Sequence, residues 1–352
     1  MSVKTEGSSN YEYVTARVRS RRAKLFDADD YRKLVRMGPS EIARFMEDTE
    51  YETEMNALGA RHSGVDLIEY ALNRNLSKHF DDLLTWADGS LYEYIANYLR
   101  KFDAWNVKTV IRGIYTDAPR EEVEDDLIRT GEFAGATLDR LLEATSIEDA
   151  TEALSGTIFG DALEDAYEDF ESADVLVPLE NAVDRAFFAH LLDDVGQPEP
   201  DTPNALYREF LEAEIDFRNL RNALRIARSG ADIDPAEYFI DGGRLFGGEE
   251  LRQLASNPDE LVTAIRESSY GNDLTEALDE LENAESLIGF EHALNSALLE
   301  YSEKLSNRYP LSICPVLSYV LAKEREIENI RAIARGREAG IPVDEIEEEL
   351  VQ

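Results

Sequence analysis

One helical segment occurs three times in this chain, and the triplication limits what the chain can fold into more than any other feature. The copies are Asp103-Ala-Trp-Asn106-Val-Lys108-Thr-Val-Ile-Arg112, Asp216-Phe-Arg-Asn219-Leu-Arg221-Asn-Ala-Leu-Arg225 and Glu326-Ile-Glu-Asn329-Ile-Arg331-Ala-Ile-Ala-Arg335. Each has an acid, an asparagine three residues on, an aliphatic residue, a base, and an arginine four residues further. The asparagines lie 113 and 110 residues apart. Regular self-similarity of this kind marks a repeated structural unit.

Two companion patterns keep the same order. The first places Phe26, Phe133 and Phe246 five residues ahead of Tyr31, Leu138 and Leu251. The second is Glu-x-Ala-[Leu/Val]-[Asn/Asp], at Glu69–Asn73, Glu180–Asp184 and Glu291–Asn295. Between them, Pro39-Ser40-Glu41, Ser146-Ile-Glu-Asp149 and Asn257-Pro-Asp-Glu260 carry the capping residues and early acids of a helix start. Each pattern is weak alone; three in one order at near-constant offsets are strong.

Apolar residues recur at three and four spacing from Tyr11 onward, with Pro and Gly at the breaks. No run alternates as a strand does. The expected fold is all-α: a tail at 1–10, helical units at 11–117, 118–230 and 231–340, and a short acidic helix at 341–352. The stretch Gly196–Pro203 falls inside the second unit and is read as an interior loop.

The formal net charge is −38, from 74 acids against 36 bases, 28 of them Arg. The apolar content of 43% opposes disorder. An acidic docking face for a basic partner remains an alternative. Adaptation to molar salt is favoured, because the acid is spread over most of the chain and concentrated salt shortens the Debye length to about 3 Å. Residues 117–180 hold 20 acids and three bases, as a heavily solvated face would. Nucleic acid, which wants a basic face, is disfavoured.

Cys314 is the single cysteine, so no intrachain disulfide forms; it is read as a small buried apolar residue. The first ten residues lack the apolar stretch of a signal peptide. The longest uncharged run, 309–322, is too short to span a membrane. Neither His62, His79, His190 and His292 nor any carboxylate pair forms a ligand or catalytic spacing. The glycine-rich Gly242–Glu250 lacks the GK[ST] of a phosphate loop and aligns with the Phe pattern, so a helix-entry turn is expected. No cofactor or metal is implied, and no catalytic residue.

At about 100° per residue, positions +1, +4, +5 and +8 from each asparagine form an apolar arc. These are Val107, Val110, Ile111 and Ile114 in the first copy, and Leu220, Ala223, Leu224 and Ala227 in the second. Asp103, Asp216 and Glu326 fall within that arc, where a charge is costly unless paired. The pairs Lys108/Arg112, Arg221/Arg225 and Arg331/Arg335 lie on another face. Two readings follow. In one, acids and bases form a network locking each unit's helices together, with Glu69, Glu180 and Glu291 among the partners. In the other, the three basic pairs face a common opening and grip an acidic or polar axial partner. Arg17, Arg19, Arg21, Arg22 and Lys24 form a further basic cluster, either a solvated helix face or a contact for carboxylates or head groups.

Three helical units of about 110 residues, the opening Tyr11-x-Tyr13-Val-x-Ala-Arg17-Val-Arg19 and the repeated helices resemble the C subunit of archaeal A-type ATP synthases, the counterpart of the vacuolar ATPase d subunit. The resemblance covers the chain from about Tyr11 to the end. It implies three helical domains forming a funnel about a pseudo-threefold axis. Such a subunit is not an enzyme. It couples the rotor stalk to the membrane proteolipid ring so that ion flow drives ATP synthesis, and it sits peripherally on the cytoplasmic face through those partners. It needs neither cofactor nor small-molecule substrate. The rival is a soluble α-helical repeat scaffold binding protein segments in a groove, although solenoid repeats are far shorter.

Overall fold

The computed structural model describes residues 9–350, apart from 134, 174, 201, 230–237, 256, 269, 272–274, 276–277, 280–286 and 349. Among the described residues the regular structure is helical, with no strand. In chain order the helices are α1 (Tyr11–Arg22), α2 (Ala28–Leu34), α3 (Pro39–Met46), α4 (Glu52–Leu58), α5 (Gly64–Trp86), α6 (Ser90–Leu99), α7 (Lys101–Tyr115), α8 (Arg120–Asp125) and α9 (Gly135–Glu143). They continue with α10 (Ile147–Ala153), α11 (Gly160–Ala173), α12 (Val177–Val195), α13 (Pro203–Ser229), α14 (Gly248–Ala255), α15 (Pro258–Glu267), α16 (Leu287–Arg308), α17 (Cys314–Glu338) and α18 (Val343–Glu348).

Helix starts follow local chemistry. Asp27 precedes α2 and its carboxylate accepts the amides of Asp29 and Asp30, while Asp30 reaches back to the Asp27 amide. Ser146 caps α10 through the Asp149 amide. Pro39 and Pro258 stand at the first turn of α3 and α15, where a missing N–H costs nothing. The three repeated segments lie in α7, α13 and α17, and their asparagines are buried in all three.

The chain forms two compact units. One comprises Met1–Asn10, Ser77–Pro200 and Ile240–Gly242; the other comprises Tyr11–Leu76, Asp201–Phe239 and Gly243–Gln352. In the first, α7 packs on α9, α10 and α12, and α11 pairs with α12. In the second, α17 packs on α1, α2, α3, α13, α16 and α18, and α13 also packs on α14 and α16. Residues 210–217 of α13 are buried without interruption, so that helix has no solvent face there. Gly196–Pro203, read from the sequence as an interior loop, contains the passage from one compact unit to the other. The reason is the partner choice of α13, which packs against helices later in the chain.

Candidate functional site

The repeated acids lie where the helical arc puts them, each 2% exposed. Asp103 accepts the amides of Glu132 and Phe133 at 2.7 and 3.2 Å. Asp216 accepts those of Arg244 and Leu245 at 2.9 and 3.1 Å. Glu326 accepts the Phe26 amide at 2.6 Å. Each acid therefore caps the backbone at the Phe pattern of the following repeat, and the third caps that of the first. The sequence reading placed this network inside each unit; the contacts instead run from one repeat to the next, in the cyclic order first to second, second to third, third to first.

The basic pairs obey the same order. Lys108 bonds Asp184 at 2.7 Å, and Arg112 holds both oxygens of Glu180 at 2.5 and 3.0 Å. Arg221 donates to Asn295 at 3.3 Å. Arg331 donates to Asn73 at 2.8 Å, and Arg335 grips Glu69 through Nε and Nη2. The side chains of Arg225 and Glu291 lie outside the described residues. Asn106, fully buried, clamps the backbone of Ile128 by donating to its carbonyl at 2.8 Å and accepting its amide at 2.9 Å.

Burial dominates the electrostatics. It pushes the Asp103 carboxyl up to about 7 against the pull of its two amides, and Asp216 up to about 6. Folding thus takes up a proton at Asp103 between its ordinary value near 4 and about 7. That stabilisation is complete below the lower value and lost as pH rises through the upper one. Asp103→Asn keeps an amide acceptor without the charge. Its stability relative to the native chain is expected to rise between pH 4.5 and pH 8 by about 2–4 kcal/mol, read by denaturant unfolding in molar KCl. A difference that stays constant with pH would contradict the assignment.

Two glycines make room for the acids. Gly131 has φ +115°, and a Cβ there would stand 2.5 Å from Asp103 Oδ1. A Cβ on Gly243 would fall onto Asp216 Oδ1. Gly243→Ala is expected to cost about 2–3 kcal/mol, and Gly131→Ala at least as much because it adds backbone strain. Equal stability of either variant in denaturant unfolding would refute the close approach. These glycines precede the Phe pattern; the sequence reading treated Gly243 only as part of a turn.

The third closure is built differently. Glu326 Oε1 also accepts from Tyr51 Oη at 2.6 Å and from Lys323 Nζ at 2.7 Å, and Lys323 is 1% exposed. Burial holds the Lys323 ammonium below its ordinary value, opposed by Glu326. Sequence reasoning passed over Tyr51 and Lys323; the available signal was a base one helical turn before the acid.

On α1, Arg17 lies over the Tyr13 ring at 4.7 Å, Arg22 bonds Glu303 and Ser318, Arg21 neighbours the Tyr319 phenol, and Arg19 is exposed. A cavity of about 740 Å³ opens beside them, lined among others by Arg22, Tyr31, Arg32, Arg325, Glu326 and Glu347. Its charges are mixed, and Arg22 and Arg32 are bonded to Glu303 and Asp29. Cys314 is buried, which pushes its thiol up to about 11. Among the described residues no helix is long and apolar enough to cross a membrane.

The model of the ATP synthase (C/AC39) subunit family matches residues 14–349. The chain belongs to that family. The C subunit of the A-type ATP synthase of Haloferax volcanii is 66% identical over 347 residues, 99% of each chain. The same-named protein of Halobacterium salinarum is 59% identical over 98% of each. That of Methanosarcina mazei is 33% identical, over 99% of this chain and 94% of that one. The C/AC39 subunits are structural rather than catalytic, as the resemblance implied.

Proposed function

We propose that the chain couples the rotor stalk of an A-type ATP synthase to its membrane proteolipid ring, so that ion flow drives ATP synthesis. One observation carries this reading. The repeat contacts run in a closed cycle, with the third closing helix bound to the first repeat. A closed series of three suits a socket around an axis, whereas an open scaffold leaves its terminal repeats unpartnered. We take the sequence repeats 11–117, 118–230 and 231–340 to form three helical domains about a pseudo-threefold axis, in a funnel. Each domain draws its closing helix from one repeat and its body from the next.

A torque coupler must be stiff. Buried carboxylates capping the neighbouring backbone, and bidentate Arg–Glu pairs beside them, resist sliding between helices in a way that apolar contact alone does not. The bonds of Lys108, Arg112, Arg221, Arg331 and Arg335 favour their role in this network. Arg112 and Arg335, with side chains 47% and 60% exposed, still present an edge outward. The chain is then peripheral, held at the cytoplasmic face of the membrane by stalk and ring through interfaces above about 1,000 Å².

The test is to solubilise native membranes in molar salt and recover this chain with its neighbours. Stalk subunits and a proteolipid are expected together with it. Recovery of the chain alone from the soluble fraction would sink the proposal.

A further inference from the structure

The coupling reading leaves the basic run on α1 without a task. Between Tyr11 and Phe26 stand five bases and one acid, in a chain of net charge −38. Arg21, Arg22 and Lys24 turn to the Tyr319 phenol, Glu303 and Glu50. Arg17 and Arg19 are exposed. At about 100° per residue, Tyr13, Ala16, Arg17 and Ser20 share the exposed arc of α1, opposite the buried Val14, Thr15 and Val18. Thr15 donates to the Pro310 carbonyl at 3.2 Å, which seats α1 against the turn between α16 and α17. Leu311 in that turn is 57% exposed, more than any other large apolar side chain among the described residues, and Tyr13 is 47% exposed. Arg308, at the end of α16, is exposed as well. All these residues belong to one compact unit, and none of the exposed ones lines the cavity beside Arg22 and Arg325.

Two of the arginines are stacked on tyrosines: Arg17 over Tyr13 at 4.7 Å and Arg308 over Tyr309 at 5.3 Å. A guanidinium lying on a phenol ring keeps its N–H edge for an anion, while the ring beneath suits an apolar layer. We infer that α1 and the α16–α17 turn form a direct contact for anionic lipid headgroups, with Arg17, Arg19 and Arg308 on phosphates and Tyr13 and Leu311 at the acyl boundary. Phosphate takes the planar guanidinium fork through two parallel hydrogen bonds. Tyrosine is favoured at headgroup depth, where its ring and its hydroxyl each meet a suitable medium. In molar salt the Debye length is about 3 Å. The net charge therefore does not hold the chain off an anionic surface, and the groups in contact decide. A lipid layer offers phosphate above apolar chains at every point, so it asks for no matching groove, as a protein segment would. This rests on the coupling reading for bringing the chain to a membrane, and it adds a contact that involves neither stalk nor proteolipid.

The experiment floats the full chain with protein-free vesicles in molar KCl. One set holds equal parts of phosphatidylglycerol and phosphatidylcholine, the other phosphatidylcholine alone. The chain is expected to rise with the anionic vesicles and to stay behind with the neutral ones. Arg17→Glu with Arg308→Glu is expected to keep its circular dichroism and lose flotation about tenfold. Arg120→Glu with Arg129→Glu, the same charge change at exposed positions elsewhere, is expected to float as the native chain does. Leu311→Ser, at a side chain too exposed to matter for folding, is expected to lose flotation about fivefold. Equal flotation with both vesicle sets, or equal loss in the two charge variants, would overturn the inference. Retention by immobilised polyglutamate with no flotation would also overturn it, because the surface would then meet protein carboxylates. The vesicles hold neither stalk nor proteolipid, so a negative result leaves the coupling reading standing. Flotation by a chain that native membranes release without those partners would instead sink the coupling reading and uphold the lipid contact.

Discussion

Glu326→Ala is expected to lower unfolding free energy by about 3–5 kcal/mol, among the larger effects a single substitution has in a folded chain. The cause is what the change leaves behind. Lys323 is 1% exposed and gives its Nζ to Glu326 Oε1 and to the Tyr51 hydroxyl, at 2.7 and 2.8 Å. Without the carboxylate, the ammonium either stays charged in an apolar site or sheds its proton. The Phe26 amide and the Tyr51 hydroxyl lose their acceptor as well. Lys323→Met combined with Glu326→Gln removes both charges and keeps an acceptor, so it is expected to fall within about 1.5 kcal/mol of the native chain. Denaturant unfolding of Lys323→Met, Glu326→Gln and the double variant checks this. Additive losses would show that lysine and glutamate do not act as a pair. This network ties Phe26 and Tyr51 of the first repeat to Lys323 and Glu326 on α17.

Lowering KCl from molar concentration to about 0.01 M is expected to abolish most of the helical circular dichroism, as the Debye length grows from about 3 Å to about 30 Å. The net charge is −38, and the described carboxylates that are buried are few: Glu54, Asp103, Glu212, Glu214, Asp216 and Glu326. Most of the described acid therefore lies outside the core, as on α11, where Asp161, Glu164, Asp165, Glu168 and Asp169 are exposed. Carboxylates this dense repel one another across the surface once screening is withdrawn. The relatives from Haloferax and Halobacterium, which are halophilic archaea, fit that origin of the charge. Unchanged ellipticity in dilute buffer would contradict it and return attention to a basic partner.

Much of the fold was legible in residue spacing. Periodicity located the helices, Ser146 and Pro39 marked their starts, and the arc analysis buried Val107, Val110 and Ile111 together with Asp103. What spacing could not tell was the direction of each contact. Asp103 has the same sequence offset pattern whether it caps its own repeat or the next, and only packing sends it to Glu132 and Phe133. The Tyr51–Lys323–Glu326 cluster was missed for a related reason: Tyr51 lies over 270 residues from Lys323 and Glu326, and only packing brings it to them.

Gradient-driven ATP synthesis tests the central claim most directly. Membranes lacking this chain are compared with membranes to which it has been restored in molar salt, alongside ATP hydrolysis by the released catalytic head. The account predicts that synthesis is lost without the chain and recovered with it, while hydrolysis by the head persists throughout. Synthesis that continues without the chain, or hydrolysis that disappears with it, would contradict a non-catalytic coupler.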